Sequence, residues 1–189
     1  MKLIGSYTSP YVRRLRLLLA EKKFEFEAID IYSPAGEARL KEISPVNKIP
    51  VLIDGKKTIW DSRVIFRYLC EKKLAKELSW NEENYLTAVD GLLDSTINLF
   101  LFKKSGLDIN GDLMYLKRQK ARIEALLAYL HEQNIEKWTW NYLGMSFYSY
   151  LDWAVFREQI KIQNYPKFEK FLTKYRKKNG VSSTEIPKT

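Results

Sequence analysis

Residues 2–14 read Lys2-Leu3-Ile4-Gly5-Ser6-Tyr7-Thr8-Ser9-Pro10-Tyr11-Val12-Arg13-Arg14, and the period of the sequence changes along them. Lys2 to Ser6 reads as a short apolar strand, whereas from Pro10 to Lys23 the residues Val12, Leu15, Leu18 and Leu19 recur at helical spacing. Ser9 before Pro10 marks the helix start. Proline loses nothing at the first helical position, and a serine oxygen accepts an N–H that has no partner inside the helix. Phe24, Phe26 and Ala28 then alternate with Glu25 and Glu27, which predicts a second strand. The chain therefore opens with a β-α-β unit.

Outward from there, Ser33 to Glu42 predicts a loop and a short helix. Pro50 to Ile53 and Lys57 to Trp60 flank Asp54-Gly55, a hairpin turn pair, and Arg63 to Lys73 places Val64, Ile65, Tyr68 and Leu69 on one helical face. The order βαβ-α-ββα is that of a thioredoxin-like α/β domain, assigned to residues 1–75. The polar stretch Lys76 to Asn81 is the expected linker. Helical periodicity over Glu82–Lys104 and Gly111–Gln133 predicts an all-α C-terminal domain spanning 82–189. Within it, Ser149-Tyr150-Leu151-Asp152 carries the capping-box spacing, with Tyr148 and Trp153 as the staple, and predicts a helix start at Ser149.

Composition narrows the function classes. A chain of 189 residues can bury a core without staples, and its single cysteine, Cys70, excludes an intramolecular disulfide framework. The opening residues lack the apolar run of a secretory signal, and no stretch approaches the roughly 20 apolar residues needed to span a bilayer. A reducing, cytoplasmic setting and no membrane partner are expected. The formal net charge is +9, but the signs are mixed except between Lys167 and Lys178. No nucleic-acid motif accompanies that run, so it reads as a solvated basic helix and no nucleic-acid partner is expected. The charge can instead draw in an anionic peptide. His131 is the only histidine, so metal clusters and Ser-His-Asp arrangements have no candidates, and the glycines form no phosphate loop.

Three short signals carry the chemistry: Thr8-Ser9-Pro10-Tyr11-Val12-Arg13-Arg14, Asn47-Lys48-Ile49-Pro50-Val51-Leu52 and Trp60-Asp61-Ser62. In that order and spacing the chain resembles the cytosolic glutathione S-transferases, most closely the bacterial Ser-Pro-x-x-Arg type. The resemblance implies a thioredoxin-like domain followed by a helical one, a glutathione site in the cleft between them, glutathione as co-substrate with no metal, and a homodimer. In that family a Ser/Thr-x-x-Asp box starts the buried core helix of the second domain, which agrees with the reading of Ser149. Ser44-Pro45-Val46-Asn47 departs from the family's commoner Asn-Pro-x-Gly.

Each signal has a role in that reading. An ordinary thiol near pKa 8.5 is mostly protonated at neutral pH, so glutathione must be held as its thiolate. Ser9 can donate to the sulfur beside a helix start, and Tyr7 is the second choice for the same role. By resemblance, a cis proline at Pro50 turns the Ile49 backbone toward the cysteinyl residue of glutathione, and Lys48 meets the glycyl carboxylate. Ser62 can cap the following helix and take the γ-glutamyl α-carboxylate, leaving Asp61 for the ammonium group. A hydroxyl at position 9 cannot exchange with a disulfide sulfur, and Cys70 falls on an apolar-patterned helix, so disulfide reduction is disfavoured.

Phe100, Phe102 and Tyr115 are the candidates for an apolar acceptor pocket. Trp138, Trp140 and Tyr142 read as packing aromatics. The expected activity is conjugation of glutathione to small, largely apolar electrophiles through a Ser9-stabilised thiolate. Glutathione-dependent isomerisation is a related possibility. The alternative from another class is a non-catalytic member of the same fold, used for glutathione binding or protein interaction.

Overall fold

A computed structural model describes residues 1–187. They form two compact units, one of residues 1–77 together with the chain from 175 onward, the other of residues 78–174.

In the first unit, β1 (Lys2–Gly5), α1 (Pro10–Leu18), β2 (Glu25–Ala28), α2 (Pro34–Ile43), β3 (Val51–Asp54), β4 (Lys57–Trp60) and α3 (Ser62–Glu71) follow in that order. The sheet runs β2-β1-β3-β4, with β1 and β2 parallel across the α1 crossover and the other pairs antiparallel. This is the predicted thioredoxin-like arrangement. Alternation along the strands sends Ile4 and Val51 to one face, where Leu40 of α2 closes a core with Ile29, Ile31, Ile43, Ile53 and Trp60 around it. Leu3 and Leu52, paired in register, face the other way and are fully buried, as are Val12 and Leu15 of α1 and Ile65 and Leu69 of α3. Each such side chain contributes about 1.5–3 kcal/mol by leaving water. Gly5 lets α1 approach the sheet: a Cβ there would stand 2.4 Å from Val12 Cγ2.

Two Ser-Pro pairs start helices in the same way. The Ser33 Oγ accepts the Gly36 N–H at 3.1 Å, and Pro34 opens α2. The Ser9 Oγ accepts the Val12 N–H at 3.4 Å, and Pro10 opens α1. The first helix stops at Leu18, short of the predicted Lys23. There the Ala20 N–H bonds the Leu17 carbonyl and the Lys22 N–H that of Leu19, a tightened turn that ends the ladder.

The end of the chain differs from its expected place in the helical domain. From residue 175 it groups with the first unit, where two buried arginines of α1, Arg13 and Arg16, bind it. Arg13 Nε donates to Thr184 Oγ1 at 3.4 Å, and Arg16 Nη2 to the Ser183 carbonyl at 3.0 Å. Gly180 comes so near the turn that follows α1 that an added Cβ would lie 2.5 Å from the Ala20 Cβ. Val181 and Ile186 are buried.

The second unit is helical, with α4 (Trp80–Lys104), α5 (Met114–Glu132), α6 (Tyr142–Phe156) and α7 (Pro166–Tyr175), whose last residue groups with the first unit. Every residue from Tyr142 to Leu151 of α6 is buried. Phe147 is ringed by Trp138, Phe168 and Phe171 at centroid distances of 5.2–5.4 Å, so Trp138 is a packing residue, and Trp140 packs edge-on against Tyr148.

One expectation is overturned here. Ser149 lies inside α6 and donates to the Met145 carbonyl at 2.7 Å, so it starts no helix. The start is Asn141, whose side chain accepts the Gly144 N–H at 3.2 Å. An apolar run buried on all sides extends the helix through a position whose local spacing imitates a cap. A true capping box stands at the start of α4, where the Ser79 N–H donates to Glu82 Oε2 at 2.8 Å and the Ser79 Oγ accepts the Glu82 N–H at 3.4 Å.

Candidate functional site

Strand register assembles the three sequence signals at one end of the sheet. Val51 stands opposite Ile4 of β1 on one side and Trp60 of β4 on the other. The chain leaving β1 toward Ser9, the chain entering β3 through Lys48-Ile49-Pro50, and the chain leaving β4 into Asp61-Ser62 therefore emerge side by side. Two strand spacings separate β1 from β4, roughly 10 Å, which is also the reach of an extended tripeptide.

Ser9 is half-buried. Its oxygen accepts the long bond from Val12, and among the described residues its hydroxyl proton has no acceptor. The Ile49-Pro50 bond is cis. Pro50 is buried, while Lys48 is exposed and makes no ion pair among the described residues. The preceding Ser44–Asn47 turn closes with the Asn47 N–H on the Ser44 carbonyl at 3.0 Å, and Asn47 takes φ 50°. Asparagine tolerates that left-handed conformation, so its replacement of the family's glycine keeps the turn.

The roles of Asp61 and Ser62 differ from the sequence reading. Asp61, not Ser62, caps α3: its Oδ1 accepts the N–H groups of Arg63 at 2.8 Å and Val64 at 3.2 Å. Asp61 sits at φ 70°, ψ 135°, a region that costs a residue with a side chain about 1–3 kcal/mol. Both cap bonds fall on Oδ1, and the residue is exposed. Ser62 is only 2% exposed, and its Oγ accepts from Arg14 Nη2 at 2.5 Å. Arg14 is the residue that sequence reasoning passed over. The adjacent pair Arg13-Arg14 on a helix with apolar periodicity is the signal that cations must be buried and employed, and both are.

Tyr7 is directed elsewhere. Its ring packs edge-on against Phe26 of β2 at 5.3 Å, and the Arg16 guanidinium lies 5.0 Å from its centroid. Strand β2 flanks β1 on the side opposite β3, so this ring turns away from the strand that Pro50 precedes. Burial pulls the Arg16 pKa below the usual arginine value, and the neighbouring Arg13 charge adds to the same direction.

In the helical unit, Phe102 and Tyr115 meet edge-to-face at 5.7 Å and line a cavity of about 420 Å³ with Leu107, Leu113 and Leu116. Phe100 does not join them. It packs against Trp153 at 5.5 Å beneath the Arg157 guanidinium, on a different face of α4. Among the described residues no group of His, Cys, Asp and Glu side chains is arranged to hold a metal ion, and no helix is long and apolar enough to cross a membrane.

Comparison with known proteins agrees with this geometry. A family model described as the glutathione S-transferase N-terminal domain matches residues 3–77. The GST-like protein YibF of Escherichia coli K12 is 41% identical over 70 residues, 36% of this chain and 35% of its own length. Glutathione S-transferase F10 of Arabidopsis thaliana is 43% identical over 63 residues, 32% of this chain and 29% of its own. These matches span about a third of each relative. Among solved structures, a glutathione S-transferase of Methylobacillus flagellatus with GSH bound aligns at TM-score 0.83 and 24% identity, over 98% of this chain and 99% of the other. One from Methylobacterium radiotolerans, in complex with glutathione sulfonate, aligns at TM-score 0.83 and 19% identity, over 100% and 95%. Residues 3–77 thus match the glutathione S-transferase N-terminal domain model, and the whole chain has the fold of the glutathione S-transferase structures.

Proposed function

We propose that the protein binds glutathione across the end of its sheet and conjugates it to small, largely apolar electrophiles. The observation that carries this reading is the Ser9 hydroxyl: it accepts the α1 cap bond and retains its proton, beside the strand end that Pro50 begins. In the bound state the cysteinyl backbone pairs with Ile49 as an added strand would, Lys48 meets the glycyl carboxylate, and the γ-glutamyl carboxylate and ammonium lie at Ser62 and Asp61.

Ser9 then donates to the sulfur, aided by the positive end of α1. Lowering the thiol pKa by about two units corresponds to roughly 2.7 kcal/mol of preference for the thiolate. The thiolate attacks the electrophilic carbon and forms the C–S bond as the leaving group departs or the acceptor takes up the charge. The orientation of Tyr7 toward β2 supports Ser9 as the donor. By analogy with the family, we take the working form to be a cytoplasmic homodimer.

Calorimetric titration with glutathione, followed by turnover of a generic aryl halide and an electrophile panel, tests the proposal. Binding with turnover is expected. Binding without turnover of any electrophile favours the non-catalytic alternative, and no binding removes the ligand site altogether.

A further inference from the structure

The end of the sheet opposite the three signals gathers charge that the sequence scatters. There β2 and β4 begin and β3 ends, since β2 runs parallel to β1 while β3 runs against both β1 and β4. Lys22-Lys23 lie in the turn that enters β2, and Lys56-Lys57 in the hairpin that enters β4. The docked chain end adds a third segment. Gly180 sits on Ala20, and Asn179 Nδ2 donates to Glu21 Oε1 at 3.2 Å, which brings Arg176-Lys177-Lys178 beside Lys22-Lys23. All of these cations are exposed, and none makes an ion pair among the described residues. The carboxylates at this end are largely engaged: Glu25 pairs with Lys2, Asp54 with Lys72, and Glu21 accepts from Asn179. The basic run from Lys167 to Lys178 is thereby divided. Lys167 and Lys174 donate to carbonyls of the helical unit, Gln133 and Glu136, whereas residues 176–178 join the first unit as free charge.

We propose that this end of the first unit docks on an anionic lipid surface, with Lys22-Lys23, Lys56-Lys57 and Arg176-Lys177-Lys178 meeting its phosphate headgroups. From the turn before β2 at one edge to β4 at the other, the cations span three strand spacings, roughly 14 Å. The third segment lies beyond the end of α1, off the plane of the sheet. Such a two-dimensional spread fits a plane of headgroups, whereas a nucleic acid duplex presents its phosphates in lines and is gripped by a basic stripe. The large apolar side chains exposed on this unit, Tyr7, Tyr32, Val46 and Val64, all stand at the other end of the sheet. The basic end therefore offers no ring on which the bases of a single strand could stack. Attachment of this kind is Coulombic and needs no membrane-spanning segment.

The test is flotation of the unaltered chain with vesicles of phosphatidylcholine alone and of phosphatidylcholine containing about one third phosphatidylserine. Binding to the anionic vesicles only is expected. It should weaken by about tenfold or more as salt rises from about 0.1 M to about 1 M, where the Debye length falls from roughly 10 Å to roughly 3 Å. The triple variant Arg176→Gln/Lys177→Gln/Lys178→Gln should bind about a hundredfold more weakly, and Lys56→Gln/Lys57→Gln about thirtyfold. A control, Lys103→Gln/Arg118→Gln/Lys137→Gln, removes as much charge as the triple variant from exposed positions of the helical unit and should stay within about threefold of the unaltered chain. A loss in the control equal to that in the triple variant assigns binding to net charge and overturns the surface. No binding to anionic vesicles overturns the proposal, as does tighter binding to duplex DNA or to polyglutamate than to the vesicles at the same salt. Should the triple variant not fold, Lys56→Gln/Lys57→Gln against the control carries the test, and equal binding by those two overturns the proposal.

Discussion

The Ser9 hydroxyl oxygen accepts the Val12 amide N–H at 3.4 Å, a long bond for a helix cap. Such a contact contributes modestly to α1 and leaves the proton of the same hydroxyl uncommitted. The folding role and the proposed chemical role therefore use different parts of one group and respond differently to mutation.

Ser9→Ala is expected to lower stability by only about 0.5–1 kcal/mol while lowering kcat by about a hundredfold, the loss typical of a donor aimed at developing negative charge. The thiolate absorbance of bound glutathione should fall with it. Tyr7→Phe is expected to stay within about threefold of the unaltered rate. Urea unfolding, thiolate difference spectra and steady-state kinetics on the two variants check this, and a Tyr7→Phe loss as large as that of Ser9→Ala would reassign the donor.

Asp61 combines a strained backbone with a side-chain cap, and the two can be separated from binding. Asp61→Gly relieves the positive φ and removes the cap, terms of about 1–3 kcal/mol and a few tenths respectively, so the variant is expected to be as stable as the parent or more so. Its glutathione affinity should nevertheless fall about tenfold, equivalent to roughly 1.4 kcal/mol, through loss of the carboxylate that faces the ammonium. Thermal unfolding without ligand and titration with ligand measure the two effects. Unchanged affinity would confine Asp61 to folding.

The hairpin is tied to α3 through Asp54, whose Oδ2 accepts from Tyr68 Oη at 2.7 Å and from Lys72 Nζ at 2.5 Å. The hydrogen bond from Lys72, followed by that from Tyr68, holds the Asp54 carboxyl below its ordinary range. The folded state then binds that proton less tightly than the unfolded state, so the contribution is present above about pH 5 and lost as the pH falls below about 4. Solvent screening limits it to about 0.5 kcal/mol. Asp54→Asn should lower stability at pH 7 by that amount and flatten the acid limb of a stability-against-pH curve. A loss of equal size at pH 3 and pH 7 would show that the ion pair is not its source.

Helix α6 offers a contrast between a real and an apparent cap. Asn141→Ala is expected to cost about 1 kcal/mol, whereas Ser149→Ala should change stability by less than about 0.5 kcal/mol, because the Met145 carbonyl that Ser149 bonds keeps its place in the helical ladder. Chemical denaturation of both variants decides, and a larger loss from Ser149→Ala would restore the capping role to that residue.

Several elements were legible from local sequence because their causes are local. The Ser9-Pro10 and Ser33-Pro34 starts, the alternation through Phe26 and the hairpin, expected at Asp54-Gly55 and closed one residue later with Gly55-Lys56 as its loop, depend on residues a few positions apart. The same locality explains the errors. Ser149-x-x-Asp152 has the spacing of a cap, but only burial of the whole segment from Tyr142 to Leu151 determines that the helix runs through it. Phe100 and Phe102 are two residues apart, which on a helix places them on different faces, and tertiary packing sends one to Trp153 and the other to Tyr115.

By itself, then, the sequence determined the βαβ-α-ββα order, the helical second half and the three segments that carry polar candidates, since hydrophobic period and cap chemistry act over one or two turns of chain. Tertiary structure alone decided that Val51 aligns with both Ile4 and Trp60, that Asp61 rather than Ser62 caps α3, that Arg14 is buried against Ser62, and that the chain end folds onto α1. Those outcomes depend on strand register and on which cations the core must satisfy, and both join residues far apart in sequence through the energy of burying them together.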